Sequence, residues 1–337
     1  MEAPPNILLI RLKSIGDVIF TLPAVQALRA AFPAAKITFL TSRENAPLLR
    51  GFAGVDEVLT VDRALFRAGQ PRKVLSAGLD LLRRLRRARF TLVFDFQGYG
   101  ETEWLAWWTG APERWGIIYR SGGGWVHTGT SRRAPTRHPA EWDLDLLRRF
   151  GLRPGPLHND YVLPADALAA AREFFTAHQL NFTRPALFIQ PLTSSPQKNW
   201  PLARYVWLAE RWRTRGGQVV FGGGPAERAV LEPVRAAGFI VAAGTPLLVS
   251  AGLMQLSAMV VGADTGLLHL AVAMGRRVVM IMDSNRPGSC HPCQHPEWTV
   301  TPPAGKTVAD IEPGRVESAL ELAFAELPPA RPAPAIT

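Results

Sequence analysis

The sequence predicts two doubly wound α/β domains facing each other across a cleft, and three observations lead to that fold class. Short apolar strands alternate with amphipathic helices in two successive series, the pattern of parallel sheets with right-handed crossovers. A Pro- and Gly-rich stretch, residues 151–164, separates the two series and reads as a linker. Several strands end in polar junctions that open helices at once, where doubly wound sheets place their ligands. A chain of 337 residues with 47% hydrophobic content is long and apolar enough to fill two such cores.

In the first series, strands are expected near 6–11, 36–41, 56–61, 91–95 and 114–118, each a brief apolar run. Helices are expected near 17–32, 44–50, 74–89, 99–109 and 139–150, where apolar residues recur at helical spacing. After a helix near 165–178 the theme restarts, with strands near 186–190, 218–222, 238–242, 259–263 and 277–282. Helices near 201–215, 225–236, 247–256 and 266–275 lie between them, and a last helix is expected near 313–326. The domains are thus read as 1–164 and 165–327, followed by a Pro/Ala-rich tail, 328–337, expected to be disordered.

Composition narrows the function class. No apolar run approaches the roughly 18 residues of a spanning helix. The N-terminus enters a strand without the basic and apolar regions of a signal peptide. Only Cys290 and Cys293 occur, which is no disulfide framework, so a cytoplasmic protein is expected. The formal charge is +10, of which +7 falls in the first 175 residues (24 Lys/Arg against 17 Asp/Glu). The densest cluster, Arg83, Arg84, Arg86, Arg87 and Arg89, lacks the interleaved aromatics of a nucleic-acid platform. Nucleic acid stays one possible partner of this cluster, an anionic membrane surface or phosphorylated lipid fits equally well, and a solvated helix face is the plain alternative.

Four junctions could carry chemistry. Met259 to Ala263 is an apolar strand that stops at Asp264-Thr265-Gly266 and turns into a helix containing His269. A carboxylate, a hydroxyl and helix N–H groups there suit a ligand with phosphate and hydroxyl groups, although Asp and Thr are also ordinary helix caps. The loop after the first strand, Arg11 to Asp17, has neither G-x-G-x-x-G nor a P-loop, and Asp17 reads as a helix cap or as a carboxylate aimed at a ligand. Thr193, Ser194, Ser195 and Lys198 follow another strand, and hydroxyls with one point charge can hold a pyrophosphate and stabilise a departing one. Gly222-Gly223-Gly224 precedes Glu227, which suits ribose hydroxyls or simply opens a helix. Asp143-Leu144-Asp145 resembles a metal-binding D-x-D, but at helical i and i+2 the two carboxylates point to different faces. Cys290, Cys293 and His295 could ligate a metal, yet no fourth ligand stands near, and free thiols are the preferred reading.

Taken together, these junctions resemble glycosyltransferase family 9, the bacterial heptosyltransferases of lipopolysaccharide core synthesis. The matching stretches are Ser14-Ile15-Gly16-Asp17 through Pro23, Asp95-Phe96-Gln97-Gly98, Lys198-Asn199-Trp200-Pro201 and Asp264 to Ala271, in family order across about 6–285. Two stretches depart from it: Pro191-Leu192-Thr193 at the phosphate junction, and Asp283 to Cys290 where the family continues with Gly-Pro.

The resemblance implies a GT-B fold, with an N-terminal acceptor domain and a C-terminal nucleotide-sugar domain. It implies an inverting, metal-independent transfer without a cofactor, from a nucleotide-sugar donor such as ADP-heptose to an anionic glycolipid or core-oligosaccharide acceptor. Asp17 would be the general base, and Lys198 would offset leaving-group charge. Thr193, Ser194, Glu227, Asp264, Thr265, Gly266 and His269 would bind donor, while Ser14, Gln97 and Arg120 would face the acceptor. Peripheral association with the inner membrane face is expected, and nucleic-acid binding is not. Two other classes stay open on sequence alone: a sugar-nucleotide epimerase or hydrolase on the same fold, and a non-catalytic basic protein that binds nucleic acid or anionic lipid.

Overall fold

The computed structural model describes residues 4–63, 65, 71–119, 124–284 and 286–327. Arg120, Gly122 and Gly123 of the expected acceptor loop, and the 328–337 tail, lie outside the described residues. The chain divides into two compact units, the first ending at Asp160 and the second beginning at Tyr161.

The first unit is built on β1 (Asn6–Ile10), β2 (Lys36–Ser42), β3 (Glu57–Val61), β4 (Leu92–Asp95), β5 (Glu113–Ile118) and β6 (Gly129–Arg132). These form one all-parallel sheet in the order β3-β2-β1-β4-β5-β6. The second unit carries β7 (Ala186–Gln190), β8 (Gln218–Gly223), β9 (Ile240–Ala243), β10 (Met259–Ala263), β11 (Val278–Ile281) and β12 (Thr299–Val300). Its sheet runs β12-β11-β10-β7-β8-β9, again all parallel. Counted within each unit, both sheets therefore have the order 3-2-1-4-5-6.

Helices cover both faces of such sheets, so the central strands must be apolar throughout and not merely alternating. β7 and β10 are buried at every position, and β1 at all but the first. In the second unit Leu187, Ile189, Phe221 and Val261 pack against Trp200, Tyr205 and Leu208. In the first, Leu8, Ile10, Leu40 and Val93 pack against Leu85 and Ala106. Gly262 in β10 permits a close approach: a β-carbon there would collide with the Gln190 carbonyl of β7.

Where the elements differ from expectation, local chemistry explains it. The helix expected at 17–32 is two, Ile15–Phe20 and Leu22–Ala31. Pro23 has no N–H to continue the ladder, and at the break the Thr21 N–H and hydroxyl both turn back to the Val18 carbonyl, at 3.1 and 2.7 Å. Pro47 likewise tightens the expected 44–50 helix into a 3-10 turn, Ala46–Gly51. The 225–236 helix reduces to a turn at Pro225–Glu227 and a short helix at Glu232–Ala236. The Pro139–Phe150 helix stops as its sequence dictates, because Gly151 takes φ 105° and two backbone N–H groups close back on the last turn.

Candidate active site

In each sheet the strand order reverses at one place, between β1 and β4 in the first unit and between β7 and β10 in the second. The loops leaving the carboxyl ends of such neighbouring strands diverge to opposite faces and leave a crevice. All four of the sequence matches begin at these strand ends.

In the second unit, the loop after β7 brings Lys198 to the end of β10, where its Nζ donates to Asp264 Oδ2 at 2.7 Å. The other carboxylate oxygen, Oδ1, lies 3.1 Å from Nε2 of His269, one turn into the following helix. Lys198, Asp264 and His269 thus form one chain of contacts across the switch point. Burial alone would raise the Asp264 carboxyl, but the hydrogen bond and charge of His269, then those of Lys198, reverse this and hold it at about 2. Burial would lower the Lys198 ammonium, and Asp264 reverses that too, with Asp283 and Cys290 adding to a net upward shift. Both charges are therefore fixed through the neutral range. The Lys198 side chain remains 40% exposed.

Thr265 caps the Gly266–Ala273 helix, its hydroxyl accepting from the Leu268 N–H, so Gly266 begins that helix beside Asp264. Ser194 is exposed. The Thr193 hydroxyl turns inward, donating to the Ser195 carbonyl at 2.7 Å and accepting from the Ser195 N–H at 3.0 Å. Its role in the loop is thus to fix the turn that presents Ser194 and Lys198. Glu227 also closes its own loop, with Oε2 accepting from the Gly224 N–H at 2.7 Å. Trp200 is buried and donates to the Ile311 carbonyl at 2.8 Å, anchoring the far end of the Lys198 loop.

In the first unit, Asp17 sits in the first helical turn. Its Oδ2 accepts from the Ser14 N–H at 2.8 Å and the Ser14 hydroxyl at 3.1 Å. Among the described residues Oδ1 makes only a 3.5 Å contact with the Arg11 guanidinium, and over a third of the side chain is exposed. One oxygen caps the helix, as the helix-cap reading expects, and the other is left without a close hydrogen bond among the described residues. Gln97, at the end of β4, clamps this loop: its Oε1 accepts from the N–H groups of Leu12 and Lys13, each at 3.1 Å. Asp95 orders the Gln97 loop in turn, accepting from the N–H groups of Gln97 and Gly98 and from the Thr102 hydroxyl.

Two residues emerge here that the sequence motifs did not single out as site residues. Arg11 is fully buried, donates to the Phe96 carbonyl and leans on Asp17; its place at the polar end of an apolar strand was the available signal. Asp143 is buried, and among the described residues neither of its oxygens has a hydrogen-bond partner. Burial, set against the attraction of Arg11, pushes its carboxyl up to about 8. Asp145 instead pairs with Arg137 and Arg148 at the surface, so the two carboxylates of the D-x-D face different surroundings. Among the described residues no group of three or more His, Cys, Asp or Glu side chains gathers as a metal site. Cys293 is buried, and His295 stacks on Trp298 at 3.7 Å while contacting Glu297.

Two doubly wound units, one exposing a carboxylate and the other a lysine and a helix N-terminus at its switch point, have the GT-B architecture of a glycosyltransferase. The model of glycosyltransferase family 9 (heptosyltransferase) matches residues 79–306, and the chain belongs to that family. Lipopolysaccharide heptosyltransferase 1 of Pseudomonas aeruginosa is 27% identical over 288 residues, covering 84% of this chain and 80% of its own length. A family 9 glycosyltransferase from Veillonella parvula superimposes with a TM-score of 0.83 at 23% identity, covering 97% of this chain and 99% of that one. The Escherichia coli heptosyltransferase WaaC, solved with ADP-2-deoxy-2-fluoro heptose, gives 0.74 at 20% identity, covering 94% and 99%. The GT-B fold implied by the sequence motifs is the observed one. Among the described residues no helix is long and apolar enough to cross a membrane.

Proposed function

We propose that this protein transfers a heptose-like sugar, with inversion and without a metal ion, from ADP-heptose to a lipopolysaccharide-core acceptor. The observation that carries this reading is the Lys198–Asp264–His269 chain at the β7/β10 switch point. Its part-exposed lysine and the adjacent helix N-terminus suit a diphosphate, and the relative solved with an ADP-heptose analogue supports the choice of donor. Asp264 would accept from sugar hydroxyls, Ser194 and Gly266 would meet phosphate, and Lys198 would offset the charge that develops on the departing ADP. Asp17 would take the proton from the acceptor hydroxyl as it attacks the anomeric carbon, using Oδ1, the oxygen that the helix cap does not engage. Gln97 and Arg11 would position it, and Arg120 would contact the acceptor. The acceptor would be a membrane-borne glycolipid, and the protein would meet it at the cytoplasmic face of the membrane.

The test is the Asp17→Asn variant. General-base catalysis is worth roughly 10²- to 10⁴-fold, so turnover should fall by that factor. ADP-heptose should still raise the melting temperature as in wild type, because a ligand bound only to the folded state stabilises it. Undiminished turnover removes Asp17 from the chemistry. Rapid donor consumption without acceptor would instead favour an epimerase or hydrolase.

A further inference from the structure

We propose that the Pro71–Arg87 and Gly100–Trp108 helices of the first unit form a docking surface for an anionic phospholipid bilayer. The surface rests on the transferase reading only for its purpose, since that reading supplies a membrane-borne acceptor; its binding is measurable without any transfer.

The first observation is aromatic. Trp104, Trp107 and Trp108 lie on one nine-residue helix and are 44%, 48% and 36% exposed. Trp104 stacks on Trp108 at 5.3 Å, and Trp107 follows at 6.5 Å from Trp108. Three neighbouring indoles left in water mark an interaction site, and indoles favour the interfacial zone of a bilayer.

The second is charge. Residues 71–89 hold seven Lys/Arg against one acid, Asp80, whose exposed pairing with Arg83 leaves the excess intact. Glu101 and Glu103, in the first turn of the Trp helix, oppose it only in part. The third is contiguity. Leu75, Leu79, Leu82 and Arg86 recur at one-face helical spacing, and Leu75 and Leu79 are exposed. The Leu82 carbonyl accepts from the Trp108 indole N–H at 3.1 Å. Arg86 then lines a hollow of about 360 Å³ with Trp107, Trp108 and Arg114. One face thus runs from exposed leucines to tryptophans ringed by guanidinium groups, the pattern of an amphipathic element that lies in a membrane interface.

A second copy of the chain is a poorer occupant, because self-association would bring two arginine clusters together. An anionic headgroup layer satisfies arginines and indoles at once, each basic residue near the surface contributing roughly a fivefold gain in binding.

The experiment is co-sedimentation of the full chain with vesicles of phosphatidylcholine alone or mixed with phosphatidylglycerol, without donor or acceptor. Wild type should bind the anionic vesicles strongly and the neutral ones weakly, and high salt should reduce the anionic binding to the level seen with neutral vesicles. R83E/R87E should lower binding by at least about 25-fold, from two residues at fivefold each, whereas R172E/R315E, the same charge change elsewhere, should leave most of it. W107S should weaken binding that high salt does not abolish. All the substituted side chains are exposed, and thermal melts confirm that each variant is folded. Wild type that ignores anionic vesicles, or R83E/R87E that binds like R172E/R315E, overturns the proposal. So does a wild-type dimer that W107S dissociates. Vesicle binding without any sugar transfer would leave the surface standing and remove the transferase reading instead.

Discussion

Asp264→Asn removes a charge and almost nothing else from the second unit, so its cost follows directly from the Asp264 environment. The carboxyl is held at about 2 although its ordinary value is 3.8. Folding therefore favours the ionised form by about 2.5 kcal/mol, at 1.36 kcal/mol for each pH unit. The folded value is depressed, so this stability is fully present above the unfolded value near 4 and is lost as the pH falls through 2. Asparagine, which cannot ionise, stands in for the protonated carboxyl. It also forces an amide N–H₂ toward either Lys198 or His269, both of which now face the carboxylate. Calorimetry at neutral pH should show the melting of the second unit lowered by roughly 5–10 °C, at 2–4 °C for each kcal/mol in a unit of this size. At pH 3 the unfolded chain is mostly protonated, and linkage leaves only about half of the difference. A variant melting within about 2 °C of wild type at neutral pH, or a gap that does not shrink in acid, would refute the account of Asp264 as a carboxylate fixed by its two partners.

Three further outcomes follow. Lys198→Met should lower kcat by about 10²- to 10³-fold, the usual cost of removing one fixed stabiliser of transition-state charge, and a chelator should leave wild-type turnover unchanged; strong inhibition by the chelator would replace Lys198 with a metal ion in that role. Asp143 is pushed up to about 8 by burial, so the folded chain keeps a proton that the unfolded chain releases near 4. Its contribution to stability is then fully present below pH 4 and declines as the pH rises toward 8. Asp143→Asn should flatten that decline in urea titrations, and an unchanged pH slope would show that Asp143 is ionised in the folded protein.

Most of the fold was legible because buried parallel strands announce themselves as short apolar runs. Ten of the twelve strands correspond to such runs. β6, Gly-Thr-Ser-Arg, and β12, two residues long, escaped because they are edge strands with little apolar surface to betray them. The helix breaks at Pro23 and Pro47 are written in the sequence, where a residue without an N–H interrupts an otherwise helical spacing. At the site, the strand-end rule located Asp17, Lys198 and Asp264, since each follows an apolar run into a polar junction. No spacing rule joins Lys198 to Asp264, which are 66 residues apart; only the adjacency of β7 and β10 does. Asp143 was illegible, and Arg11 legible only as the polar end of a strand, for a different reason. Their importance lies in burial, and a buried charge has the same one-letter symbol as an exposed one.

The two sheets share one strand order although they share almost none of their loop chemistry. Each crevice is made by where the sheet reverses, and the residues that fill it hang on loops outside the cores. Selection could therefore rewrite the Lys198 loop without disturbing the Asp17 loop, and the converse. The chemistry at each crevice becomes a separately heritable trait, and loop grafts between relatives are the natural way to re-address such an enzyme without refolding it.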